Sequence, residues 1–146
     1  MPDANELLRI QHEVTSERDP ERRLAAIERA YVEDVKFLDL EANVVGLKAF
    51  SDRLQKILDD APVDFVLEVD GPAYVGPDTA AQAWRFGPPG NPVIRGIDVL
   101  TLRDGRVAAV RGLSEARQSQ NPVSRRAHPT SLRSYGVLNS HACDVS

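Results

Sequence analysis

Residues 96–107, GIDVLTLRDGRV, decide how this chain is read. They parse as a strand, a tight Asp104-Gly105 turn of the kind that closes hairpins, and a returning strand. Strand side chains alternate between two faces. Alternation puts Asp98 on the face of Ile94, Gly96, Leu100 and Leu102, and Arg95, Ile97, Val99 and Thr101 on the other. A carboxylate therefore points where leucines point. The returning strand, 106–113, offers Ala108, Val110 and Gly112 against Val107, Ala109, Arg111 and Leu113, so both faces of the hairpin are largely apolar.

Upstream, the same period of two continues back to residue 63. Residues 63–69 (VDFVLEV) alternate, 73–75 are short and extended, 79–86 form a strand carrying Trp84, and 93–102 form a long strand. Before Pro62 the period is 3.6. Residues 4–18 place Leu7, Leu8, Ile10 and Val14 on a helical stripe. Asp19 caps a second helix with Pro20 in its first turn, followed by Leu24, Ile27, Ala30 and Tyr31 at helical spacing. Residues 35–40 (VKFLDL) are extended, 41–45 form a loop, and 46–60 form a third helix with Leu47, Phe50, Leu54, Ile57 and Leu58 on one side. Helices first and an antiparallel sheet afterwards predict an α+β domain.

The domain is expected to span residues 1–114. Residues 115–146 are rich in Ser, Arg, Asn and Pro without sustained periodicity. They read as a flexible or surface-draped tail. A frame running past its ancestral stop, as in mobile gene cassettes, would produce such a tail; the alternatives are an extra strand or a partner-binding arm.

The chain has 146 residues, a net charge of −4 and 42% hydrophobic residues. That charge argues against a nucleic-acid surface and against docking on an anionic membrane. No apolar run is long enough to span a bilayer, and the start MPDANELLRI lacks a signal peptide's basic and apolar regions. Cys143 is the single cysteine, so no internal disulfide forms. A reduced, cytoplasmic setting is expected.

Helices can cover one face of the sheet. The simplest cover for the other is a second subunit, so a homodimer through the outer sheet face is expected. The Asp98 face is assigned to the helices, because Gly96 and Gly112 leave room there. Asp39 lies in the short strand after the second helix, on the side of Phe37. If both acids point into the hollow, desolvation raises a carboxylic pKa and a like-charged neighbour raises one of them further. One acid then stays protonated while the other stays charged, a division suited to proton transfer. The structural alternatives are a strand aspartate paired with backbone or an arginine for Asp98, and an Asx-turn or helix-start role for Asp39.

The helix, Pro break, helix ending in AYVEDVKFLDL, the glycine opening VGLKAF, and then AWRF…PVIRGIDVLTLRDGRV resemble the ketosteroid-isomerase-like and polyketide-cyclase-like (SnoaL-like) group of the nuclear-transport-factor-like superfamily. The likeness covers about residues 4–114. It implies a curved antiparallel sheet wrapped around the N-terminal helices as a cone with an internal pocket, and dimers through the outer sheet face. It implies a proton-moving aspartate at the F-x-D position, where Asp39 falls, and a protonated aspartate holding the enolate oxygen at the I-D position, where Asp98 falls; a carboxylic acid kept neutral in ketosteroid isomerase is a standard case of such tuning. In the polyketide cyclases the strand aspartate itself is the acid/base, so Asp98 is common to both readings. The chain departs from the isomerases in lacking a tyrosine on the first helix, where RIQHEVT places Gln11 or His12. It departs from the related epoxide hydrolases in lacking an aspartate beside Arg85.

The site expected from these readings has Asp39, Asp98 and Tyr31 as catalytic groups. Phe37, Leu54, Gln82, Trp84, Phe86, Leu100, Val110 and His12 are expected to line the pocket. Each has a plainer alternative: core packing for Trp84, a helix–sheet contact for Tyr31, a surface position for His12. His128, His141 and Cys143 lack metal-site spacing, and the prolines of GPPGNP (87–92) remove the N–H groups a phosphate cradle needs. Ser51 and Ser114 have no triad partners. The expected activity is isomerisation, cyclisation or dehydration of an apolar, ring-containing carbonyl compound without metal or cofactor. The alternative is a non-catalytic module of the same fold that binds an apolar small molecule or dimerises.

Overall fold

The computed structural model describes residues 2–116; the expectations for the tail fall on residues outside these. The described chain runs α1 (Ala4–Ser16), α2 (Pro20–Ala30), β1 (Tyr31–Leu38), β2 (Asn43–Val45), α3 (Leu47–Asp60), β3 (Val66–Val69), β4 (Tyr74–Val75), β5 (Thr79–Gly87), β6 (Ile94–Arg103) and β7 (Arg106–Ser114). Asp3 and Asp19 cap α1 and α2 by accepting from the N–H groups of Glu6 and Glu21, as side-chain oxygens do for orphan helix donors. The β6–β7 turn has Asp104 at φ 56° and Gly105 at φ 77°, the pair of positive φ values that a tight hairpin demands.

The strands form one curved, open sheet in the order β2-β1-β7-β6-β5-β3, with β4 paired to β5. Three helices cover its concave face, giving the expected α+β cone. The sheet is mixed, because β1 runs parallel to β7 while the other pairs are antiparallel. The crossover from β1 to β7 spans most of the domain, so no local pattern announces it. Two boundaries differ from expectation. β1 begins at Tyr31, directly after α2, and residues 43–45 form β2 instead of a loop.

The core lies between sheet and helices and includes Leu7, Leu8, Val14, Ile27, Tyr31, Val35, Phe37, Phe50, Leu54, Leu100, Val107 and Val110. Polar side chains interrupt the buried stripes of α1 and α2, as Ser51 does on α3. Gln11 is buried on α1 beside Ile10, which is half-buried and packs against the core, and Arg23 is fully buried on α2 beside a half-buried Leu24. Both sit at true helical spacing from their apolar neighbours: 7, 11, 14 and 23, 27, 30.

Candidate active site

Register places the site. Asp98 on β6 lies opposite Gln82 on β5 and Gly112 on β7. Two residues along, on the same face, Gly96 lies between Trp84 and Ser114. A methyl group at Gly96 would collide with the Trp84 ring, which therefore lies across the glycine. The space expected at Gly96 is filled by the indole. This posture delivers the Trp84 Nε1–H to Asp98 Oδ1 at 3.1 Å. At Gly112 the expected room is present: a methyl there would stand 3.6 Å from Asp98 Oδ1 and 3.8 Å from Asp39 Cβ.

The second oxygen of Asp98 accepts from Gln11 Nε2 at 3.2 Å. Gln11 is oriented in turn, since its Oε1 accepts from the Tyr31 hydroxyl at 2.6 Å and its Nε2 also donates to Thr15 Oγ1. Burial raises the Asp98 pKa from 3.8 to about 6, and the two donated hydrogen bonds hold it from rising further. Tyr31 is pushed well above the usual phenol range, first by burial and then by the Asp98 charge. Its hydroxyl therefore stays protonated and remains a donor.

Asp39 reaches the wall of the same pocket, but its oxygens are occupied. Oδ1 accepts from the backbone N–H groups of Glu41 and Ala42, both at 2.8 Å. Oδ2 accepts from Arg53 Nε at 3.0 Å and Nη2 at 2.9 Å. The pair is shielded, with side chains 11% and 4% exposed. An ionised carboxylate has about four acceptor positions. All four are used here, so the expected base has no lone pair left for a substrate proton. The Asx-turn alternative describes what Asp39 does.

Phe37, Leu54, Trp84 and Phe86 line the pocket as expected, joined by Gln11, Thr15, Ile57, Leu58, Leu67 and Ser114. The lining is almost wholly apolar, and the pocket opens to solvent on one side. Its volume is ≈ 60 Å³, a narrow slot. Leu100 and Val110, expected in the lining, are fully buried core residues beneath it. Tyr31 stands behind Gln11 and does not reach the pocket. His12 and Gln82 line a separate gap and cleft on the far side of Trp84. Among the described residues no cluster of three His, Cys, Asp or Glu side chains could hold a metal ion.

A family model described as SnoaL-like domain matches residues 15–110. Among solved structures, a candidate isomerase of the SnoaL-like family from Agrobacterium tumefaciens is 21% identical, covering 76% of this chain and 96% of its own, with TM-score 0.71. A candidate polyketide cyclase from Sinorhizobium meliloti is 21% identical over 77% of this chain and 94% of its own, with TM-score 0.59. A candidate ketosteroid isomerase from Kribbella flavida is 18% identical over 76% of each chain, with TM-score 0.59. At these identities the likeness establishes the fold. No curated protein matches the sequence.

Proposed function

The chain belongs to the SnoaL-like family, and on that footing we propose that it is an enzyme of isomerase or cyclase type. It moves a proton beside the carbonyl of an apolar, ring-containing compound, with Asp98 as the group that takes and returns the proton. One observation carries this reading: both protein partners of Asp98 are donors, Gln11 and Trp84. Ionised, the carboxylate is held by two N–H groups and keeps lone pairs for a ligand. Protonated, its O–H finds no acceptor among those partners and is offered to whatever occupies the pocket.

The proton balance is simple. A C–H bond next to the carbonyl breaks, its electron pair enters an enolate, and the hydrogen goes to Asp98. The O–H then returns it to another carbon, which isomerises the compound. Where the enolate carbon instead attacks a second carbonyl of the same molecule, the proton goes to the new alkoxide, which closes a ring. A pKa of about 6 keeps Asp98 largely ionised at neutral pH while leaving its acid form accessible. The apolar lining keeps water from competing for the enolate. Asp39, tied to Arg53, shapes the wall. The single cysteine and acidic charge suit a cytoplasmic site of action.

The test uses tetralone and a β,γ-unsaturated steroid ketone as probes, following deuterium entry beside the carbonyl by NMR in heavy water. Asp98→Asn is expected to slow exchange by ~10²–10⁴-fold while thermal shift by tetralone persists. Equal exchange in the variant contradicts the proposal. Binding without exchange by either protein favours the binding-module reading, which the engagement of Asp39 supports.

The same reading includes a homodimer through the outer sheet face. Ile97 and Leu113 are cross-strand partners there, 43% and 51% exposed. Adjacent apolar side chains on an uncovered sheet face are the usual core of such an interface. Leu113→Glu is expected to give monomers in sedimentation, and an unaltered monomeric protein would remove this part.

A further inference from the structure

Two spaces meet at Asp98, and a third adjoins one of them. The pocket shares Gln11, Leu67, Trp84 and Asp98 with a gap on the far side of the indole. That gap shares His12, Val69 and Gln82 with a surface cleft against the first turns of α1. The gap measures ≈ 10 Å³, on the same measure as the ≈ 60 Å³ pocket, and the cleft ≈ 500 Å³. A space of ~10–15 Å³ holds one water, provided two or more polar groups face it. Asp98 lines the gap and not the cleft, whereas His12 and Gln82 line both.

His12 is suited to pass a proton. It is half-buried and lines the gap beside Leu67. Burial lowers its pKa, against the opposing pull of Glu13 and the Leu67 backbone. At neutral pH the ring is therefore uncharged, and a neutral imidazole carries one donor and one acceptor nitrogen. The charged groups around it come from α1 and its cap: Asp3, Glu6 and Arg9 on the cleft wall and Glu13 alongside, with Arg9 bonded to both glutamates. The residues of β3 and β5 that line the gap are uncharged, and Asp98 is the one β6 residue on it.

Resting on the acid/base reading of Asp98, we propose that His12 and one water in this gap form a rear proton exit for the site. Asp98 O–H gives its proton to the water, and the water gives one to the acceptor nitrogen of His12. The imidazolium then releases a proton into the cleft, and uptake runs the same steps backwards. The route lets Asp98 exchange its proton with solvent while a ligand covers it from the front. His12 acts through Asp98 and never meets the substrate.

The test is made on the full chain. A light-triggered pH jump is followed by time-resolved infrared of the protonated Asp98 carboxyl, identified by subtracting the Asp98→Asn spectrum. His12→Ala is expected to slow protonation and deprotonation at least ~10-fold with little change in the midpoint, and added imidazole should restore the rate. His12→Gln, which keeps a polar side chain that cannot titrate, should be equally slow. Unchanged rates in both variants overturn the proposal, as does slowing that imidazole does not relieve. A midpoint near 3.8 in the unaltered protein is a separate readout; it removes the acid/base reading itself and this exit with it.

Discussion

Tyr31 and Gln11 are joined by a 2.6 Å hydrogen bond from the phenol to the amide oxygen, and that bond decides which end of Gln11 faces Asp98. With Oε1 held, Nε2 must point to the carboxylate. The site is thus a chain in which a fully buried phenol orients an amide and the amide holds an acid. Removing Gln11 Nε2 is predicted to raise the Asp98 midpoint above about 6. A hydrogen bond to a charged group contributes ~1.5–3 kcal/mol, so Gln11→Leu should raise it by ~1–2 units. Tyr31→Phe should move it the same way by less. Carboxyl ¹³C NMR titration checks both, and a fall in either variant contradicts the chain.

The two glycines of the hairpin should respond oppositely. A methyl at Gly96 meets the Leu113 carbonyl oxygen and the Trp84 ring far inside contact distance. Gly96→Ala is predicted to cost ~1–3 kcal/mol in urea unfolding and to free Asp98 from the indole N–H, raising its midpoint. At Gly112 the methyl meets its neighbours at ordinary contact distance. Gly112→Ala should fold with near-normal stability yet weaken ligand binding, because the methyl stands on the pocket floor between the acids. Equal unfolding midpoints for the two variants would refute this contrast.

Stability should depend on pH through Asp98 in a stated direction. Its folded pKa, about 6, lies above its ordinary 3.8. Between those values the folded chain binds more protons than the unfolded one, so stability falls as pH rises across the window. The contribution is complete below 3.8 and lost once pH passes about 6. The full shift corresponds to ~3 kcal/mol; access from the pocket reduces it to ~1–2 kcal/mol. Subtracting Asp98→Asn from the unaltered protein in urea unfolding isolates this slope, since His12 titrates in both. A pH-independent difference contradicts it.

Arg23 is predicted to be a structural keystone. It is fully buried, and its guanidinium donates to the Glu17 carbonyl, to Ser51 and to Gln55 Oε1, tying the α1–α2 junction to α3. Among the described residues no carboxylate bonds to it directly. Arg23→Ala should cost ~3 kcal/mol or more in urea unfolding by leaving several buried acceptors unpaired. Lysine should recover little, because it lacks the planar fork. A loss below ~1 kcal/mol would contradict the assignment.

The sequence made some of this legible and hid the rest, for physical reasons. Asp98 could be placed because alternation is strict and its neighbours are leucines. The helical faces are legible too, but apolarity alone points to Ile10 and Leu24, which are only half-buried, and passes over the fully buried Gln11 and Arg23. Gln11 and Arg23 lay on the buried face by spacing alone, and spacing was the signal to follow. Asp39 was legible as a site neighbour but not as an ion-pair member, because Arg53 comes from another element at no fixed offset. The parallel β1–β7 pairing joins strands at opposite ends of the domain, and local periodicity carries no record of it. Trp84 was placed on the right face, but that its ring would fill the Gly96 space depends on side-chain direction, which alternation does not give.

The most direct measurement is the carboxyl ¹³C NMR titration of Asp98, assigned by its loss in Asp98→Asn. The account predicts a single midpoint near 6 in the unaltered protein, moving upward when a tetralone ligand occupies the pocket and desolvates the group further. A midpoint close to 3.8, insensitive to that ligand, would mean a solvated aspartate with no proton to exchange with a substrate, and the proposed chemistry would not stand.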